Sequence, residues 1–208
     1  MKQILDLNTW ARKEHFQFFN QFDEPFFGLT INIDCTIAYT AAKTSGTSFF
    51  LYYLHKSLTA ANRIPAFRYR ISEDQVWVYD QVSASPTVDR PDGTFGFSYI
   101  PFQENYAEFK AGADQEIAQV RSSKSLFPEI LGECVIHYSA LPWINFSSMS
   151  HARSFSFPDS SPKISFGKMT ELDGKKTMPV SIHVHHALMD GYHVGQFIDS
   201  FQSLMNEA

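Results

Sequence analysis

The 208-residue chain holds two cysteines, Cys35 and Cys134. They are too few for a secreted disulfide scaffold and show no metal-binding spacing, so they read as small buried apolar residues in a reducing cytoplasm. Long runs of Lys and Arg are missing, and the formal charge is −5. That balance argues against a nucleic-acid partner, which needs a basic track along its phosphates. No apolar stretch approaches a bilayer span, and the start "MKQILDLNTWARKEHF" has no apolar core followed by a cleavage site. Repeats, low-complexity tracts and Gly/Ser linkers are also absent, so no domain boundary is placed. The expectation is a soluble cytoplasmic protein without nucleic-acid or membrane partners.

What is present is ordinary in all but one respect. The 44% hydrophobic and 19% charged content are those of a globular protein long enough to bury a core without staples. Twenty phenylalanines are unusual, and so many flat apolar rings hint at aromatic pockets for a small molecule.

The patterns along the chain mix strands and helices. Asn8 or Thr9 is placed to cap a helix running through Trp10 to about Phe19. "FGLTINIDCTI" alternates, putting Phe27, Leu29, Ile31, Ile33, Cys35 and Ile37 on one face of a strand. "SFFLYYLHKSLTAAN" predicts a hydrophobic helix stopped before Pro65, and "ENYAEFKAGADQEIAQVRSS" a more exposed one. "FRYRIS" and "VWVYD" predict a hairpin around Glu73–Asp74, while "TFGFSYI", "CVIHYS" and "KISFGKM" predict further strands. "ELDGKK" is a tight turn into the strand "MPVSIHVHH". Val194, Phe197, Ile198, Phe201, Leu204 and Met205 fall at helical spacing, with Asp190 where an N-cap belongs. Strands and hairpins together with helices give an α+β class with a mixed, mostly antiparallel sheet.

Four of the eight histidines, His183, His185, His186 and His193, lie in "SIHVHHALMDGYHVGQF". On a strand His183 and His185 share a face, and His186 begins the departure into a loop. A zinc site wants three or four converging ligands, and no third partner follows at metal-like spacing, so no metal is expected. A structural reading fits His183, His185 and His193 one at a time. It leaves His-x-x-x-Asp-Gly at a strand-to-helix turn unexplained. A neutral imidazole held out on such a turn can take a proton near neutral pH. The aspartate would close the turn and cap the helix, and Gly191 would permit the close approach the turn needs.

"VHHALMDGYHVGQF" resembles the active-site motif of the chloramphenicol acetyltransferase family, whose His-x-x-x-Asp-Gly core is shared with other CoA-dependent acyltransferases. "TWARKEHFQFF", "LFPE" and "SALPWINF" resemble further elements of that family, in order, so the likeness spans nearly the whole chain. The resemblance implies a two-layer α+β sandwich and one catalytic domain, residues 1–208, without a lipoyl arm. It also implies a homotrimer with active sites between subunits, and acetyl-CoA as co-substrate rather than a permanently bound cofactor. His186 would be the general base, Ser139 the oxyanion donor, and Ser165 the hydroxyl that holds a water near the transition state. Arg12 and Asp190 would pair to orient the loop, and loss of one partner of such a buried pair typically costs about 3–5 kcal/mol. Trp143 and Lys168 would line the CoA channel. Ser48 stands where the family often has a lysine, and Met169 where it has an aromatic, with Lys43 nearby to compensate.

For the acceptor pocket, Phe18, Phe19, Phe27 and Phe127 match aromatic positions, joined by Phe95. The departures lie elsewhere. "SSMSHARSFSF" puts Met149, His151 and Arg153 at positions the family keeps apolar, Lys163 replaces another, and His137 and Phe97 differ too. An unpaired buried cation beside a largely apolar drug costs several kcal/mol unless it turns outward or finds a counter-charge. The expected activity is acetyl transfer to a hydroxyl of chloramphenicol or a related small molecule, with chloramphenicol used less well than in the family at large. The same chemistry on a more polar or anionic acceptor is one alternative, and a non-catalytic trimeric binding relic another.

Overall fold

Residues 1–128, 134–154, 156–157 and 159–207 are described in the computed structural model. Glu129 of the Phe-Pro element and Phe155 of the acceptor stretch lie outside them. In chain order the elements are β1 (Lys2–Ile4), α1 (Lys13–Phe19), β2 (Phe26–Asp34), α2 (Thr36–Thr44), α3 (Phe49–Arg63) and a 3₁₀ turn (Pro65–Arg68). Then come β3 (Tyr69–Ser72), β4 (Gln75–Tyr79), β5 (Ser83–Asp89), β6 (Phe95–Phe97), α4 (Tyr106–Ser122) and β7 (Val135–Ala140). The chain ends with β8 (Lys163–Phe166), β9 (Thr170–Leu172), β10 (Lys175–His185) and α5 (Gly191–Met205).

The main sheet runs β2-β10-β8-β7-β5-β6, with β9 beside β10, and β1-β4-β3 form a small second sheet. β7 is parallel to β5 and to β8, and the remaining pairs are antiparallel. The mixed α+β sandwich is therefore the one expected. Both hairpin turns form as read, with positive φ at Glu73 and Asp74 and at Asp173 and Gly174.

Two expectations change, and one strand was not anticipated. The alternation of β2 stops at Asp34, whose Oδ1 accepts from the Thr36 amide (2.9 Å) and hydroxyl (2.7 Å). That turn starts α2, so Cys35 sits buried at its cap and Ile37 is 46% exposed on the helix, away from the strand face. Helix α1 begins at Lys13, because Asp6 Oδ1 closes a turn on the Asn8 amide and Arg12 is held elsewhere. Finally, "SASPTVD" is an interior strand, β5, despite Pro86. Small residues and a proline hide it from period-2 reading.

Alternation gives the sheet two unlike faces. Ile136, Tyr138, Ile164, Phe166, Val180, Ile182 and Val184 face α3 and α5, where Phe166 packs on Tyr53 and Phe201. The opposite face carries His137, Ser139, Lys163, Ser165, Ser181, His183 and His185, of which Lys163, Ser165, Ser181 and His185 are buried and the rest half-buried.

Candidate active site

The site begins where β10 ends. The His186 amide donates to Pro25 O (2.8 Å), and the amides of Leu188 and Met189 turn back to His185 O. The His186 ring stacks on Phe19 (centroids 3.9 Å apart, 10° between planes) and lies 4.6 Å from Phe27. Its Nδ1 is 3.2 Å from Met189 O. A carbonyl only accepts, so Nδ1 holds the proton and Nε2 keeps a lone pair. The ring and its tautomer are both held. His185 differs: it is 5% exposed, edge-on to Phe26, and burial with Arg153 pushes its imidazole down to about 4. Adjacent in sequence, the two rings have unlike environments.

Asp190 anchors the turn from behind. One oxygen, Oδ2, pairs with Arg12 Nη1, and Arg12 Nη2 donates to His186 O at 3.2 Å. The other, Oδ1, accepts from the Tyr192 amide (3.0 Å) and caps α5. Burial raises the carboxyl, but the hydrogen bonds from His193 and Arg12 outweigh it and hold it at about 2. Asp190 is 34% exposed, so water screens the pair and its loss falls toward the low end of the cost for buried pairs. Gly191 has a different part from the one expected. A Cβ there would meet nothing within 4 Å among the described residues, so this chain itself does not demand the glycine.

The hydroxyls lie across the sheet. Ser139 and Ser165 are direct partners of β7 and β8, and Ser165 faces Ser181 of β10. Ser165 is fully buried, and its Oγ has no hydrogen-bond partner. Among the described residues no hydrogen bond joins His186 to Ser139 or Ser165.

Of the expected acceptor residues, Phe18 and Phe19 meet Phe22 edge-on or tilted beside His186, and Phe95, Phe97 and Phe127 form a second aromatic group. Both groups include exposed rings, those of Phe18, Phe95 and Phe127. The polar replacements do not turn outward. Lys163 pairs with Asp159, Arg153 pairs with Glu24 (2.5 Å), and both cations lie on the Phe26 ring. His151 packs edge-on against His183 (4.7 Å) with its Nε2 buried and unpartnered. Burial, with Lys163 nearby, pushes His137 down to about 4, and Met149 is half-buried. A cavity of about 170 Å³ opens here between Phe22, Arg153, Asp159 and His185.

The expected CoA residues are spread over the surface. Trp143 is 77% exposed, and the Lys168 amide ties the β8–β9 turn to its loop through Ile144 O (2.8 Å). Ser48 caps α3, Met169 packs on the core, and Lys43 lies over the Tyr39 ring. Among the described residues no three His, Cys, Asp or Glu side chains gather as metal ligands. Burial pushes the Cys35 thiol up to about 12, which removes it as a nucleophile.

Sequence reading missed Asp159, Gly28 and His193. Asp159 carried no signal beyond its charge. Gly28 sits opposite His183, and a Cβ there would overlap the His183 ring. His193 was legible in principle, since position N3 is where a side chain reaches back to the capping residue, here Asp190.

A histidine poised on a strand-to-helix turn, braced by an arginine–aspartate pair on this mixed sheet, marks the class of CoA-dependent acyltransferases. The fold agrees with solved dihydrolipoamide acetyltransferases, such as that of Azotobacter vinelandii (TM-score 0.68, 18% identity, 93% of this chain and 86% of that one). The chain belongs to the chloramphenicol acetyltransferase family, whose description matches residues 2–202. It is 30% identical over 200 residues to chloramphenicol acetyltransferase 2 of Escherichia coli, covering 95% of this chain and 94% of that one. It is also 30% identical to a chloramphenicol acetyltransferase of Bacillus pumilus, over 95% of this chain and 90% of the relative. A solved chloramphenicol acetyltransferase superposes with a TM-score of 0.90 at 30% identity, over 99% of this chain and all of that one.

Proposed function

We propose that the protein transfers the acetyl group of acetyl-CoA to a hydroxyl of chloramphenicol in one direct displacement. The observation that carries this is the His186 ring, fixed by Phe19 and by Met189 O so that Nε2 is the free base. Nε2 takes the proton of the acceptor hydroxyl as its oxygen forms a bond to the thioester carbonyl carbon. The tetrahedral oxyanion accepts a hydrogen bond from Ser139, while Ser165, with its buried unsatisfied hydroxyl, holds a water beside it. Collapse breaks the carbon–sulfur bond, and the departing thiolate regains the proton from His186.

The active unit in this reading is a cytoplasmic homotrimer of single catalytic domains, in which His186 of one subunit meets Ser139 and Ser165 of the next. Two observations support it: no hydrogen bond joins them within one chain among the described residues, and Phe18, Phe95 and Phe127 leave aromatic surface uncovered. Acetyl-CoA enters past Trp143 and Lys168. The acceptor lies against Phe19, Phe27 and the charge-paired wall of Arg153 and Lys163.

The test is release of free thiol from acetyl-CoA, with chloramphenicol and a panel of other alcohols and amines. Thiol release dependent on chloramphenicol is the expected result, with a Michaelis constant above the low-micromolar range because the wall is polar. Transfer only to other acceptors would replace the substrate, and no transfer to any would overturn the reaction. Sedimentation as a monomer at micromolar concentration would undo the shared site.

A further inference from the structure

We infer that His193 is a positioning residue for the acetyl-transfer reaction, holding the catalytic turn in place through the Asp190 carboxylate. The inference rests on the reading of His186 as the base. His193 stands in the first turn of α5, and its Nδ1 lies 2.9 Å from Asp190 Oδ1 and 3.3 Å from the Asp190 amide nitrogen. Both cannot be full hydrogen bonds of one neutral imidazole. An ionised carboxylate only accepts, so Nδ1 carries the proton and donates to Oδ1, and the longer approach to the amide is incidental.

The bond matters because of what the other carboxylate oxygen does. Oδ2 holds Arg12, and Arg12 in turn holds the carbonyl of His186. With His193 and the Tyr192 amide on Oδ1 and Arg12 on Oδ2, the plane of the carboxylate is fixed. Without His193 only the Tyr192 amide is left on Oδ1, so the carboxylate swings more widely about its last torsion, and Arg12 follows it. The His186 carbonyl is then released, and the ring loses the backbone frame that aims Nε2. A misplacement of about 1 Å at a reacting group costs up to about 10²-fold in rate. His193 does not touch the reacting atoms. It acts through Asp190 and Arg12, and its ring also contacts Tyr192 (5.7 Å).

The tests are the variants His193→Ala, His193→Gln and His193→Asn. The Asn side-chain amide puts an N–H donor near the place of Nδ1, whereas Gln reaches to the place of Nε2. Turnover is expected to fall about tenfold in Ala and Gln, with the Michaelis constant for acetyl-CoA unchanged, and to be largely restored in Asn. A merely structural role would rank the three by thermal stability instead. A second readout needs no turnover: the ¹⁵N and ¹H resonances of the His186 ring should move in the Ala variant and return in the Asn variant. Ala and Gln variants within twofold of the parent, or His186 resonances in the folded Ala variant that superpose on the parent's, would overturn the inference. If the parent transfers no acetyl group, the proposed reaction fails, and the ring resonances still decide whether His193 positions the turn.

Discussion

The two faces of the main sheet are both largely hidden from water, the polar one less completely, and are built from opposite materials. Toward α3 and α5 lie Tyr138, Ile164, Phe166, Ile182 and Val184, each no more than 1% exposed. On the other side lie Lys163, Ser165, Ser181 and His185, at 9%, 0%, 0% and 5%. An apolar face is stabilised by burial alone, whatever covers it. A polar face must answer for each atom, and this one does so unevenly: Lys163 has Asp159, whereas among the described residues Ser165 Oγ, and Nε2 of His151 in the loop packed on His183, have no partner. Unsatisfied buried groups are the ones a bound molecule would complete. The contrast teaches that in this sheet burial marks the core on one side and readiness for chemistry on the other.

The largest effect should come at the end of the polar face. His186→Ala is expected to lower turnover by about 10²–10⁴-fold while acetyl-CoA binding stays nearly intact, measured by steady-state kinetics and titration calorimetry. If His185→Ala abolished turnover and His186→Ala did not, the base would be the other ring of the pair. Next, two serines on opposite sides of the sheet can be set against each other. Ser139→Ala should cost about 10²–10³-fold in turnover as a lost oxyanion donor. Ser57, whose hydroxyl meets Tyr138 on the helix side (3.3 Å), should lose only about 1 kcal/mol of stability as Ala and no activity. Equal effects from both would erase the distinction between the faces.

A third change probes charge pairing. Asp159→Asn strands the Lys163 ammonium, which is 9% exposed, and should destabilise the fold by about 3 kcal/mol in urea unfolding. Adding Lys163→Met should recover most of that. A single variant as stable as the parent would mean the ion pair contributes nothing.

The smallest effect is graded with pH. Burial, aided by Lys163 or Arg153, pushes His137, His151 and His185 down to about 4 from 6.5. Below pH 6.5 the unfolded chain takes up protons that the fold refuses, so stability falls as pH drops from 6.5 toward 4 and is unaffected above that window. Each such histidine contributes a slope of up to about 1.4 kcal/mol per pH unit. His151→Leu should therefore reduce the slope between pH 6 and 5 by up to about 1.4 kcal/mol per pH unit. An unchanged slope would mean that His151 is already charged, or already neutral, in both states.

Much of this was readable beforehand, for physical reasons that differ by element. Strong periodicity placed α3, α5 and β10, and chemical punctuation placed the Glu73–Asp74 and Asp173–Gly174 turns. His186, Asp190 and Arg12 were reached through the family's motifs; nothing local in "TWARKEHF" shows that Arg12 leaves its helix to meet a residue 178 positions away. Strand β5 was invisible because Pro86 and its small neighbours have no apolar alternation, and α2 because Asp34 ends a pattern that still looks like a strand. The partners of Lys163 and Arg153 depended on which loop residues fold over the sheet, which charge alone does not encode.

The meeting of Gly28 and His183 reaches beyond the site. Nine residues of β2 pair with β10, and the alternation of Phe27, Leu29, Ile31 and Ile33 rejects any slip by one residue, since that would turn the apolar row to the wrong face. A slip by two keeps that row intact, so hydrophobicity cannot tell it from the native pairing. It would, however, set Phe26 or Thr30 opposite His183, where only a residue without a Cβ leaves room for the ring. The glycine and the histidine thus work as notch and tooth, fixing the longest pairing in the protein to one position along its length.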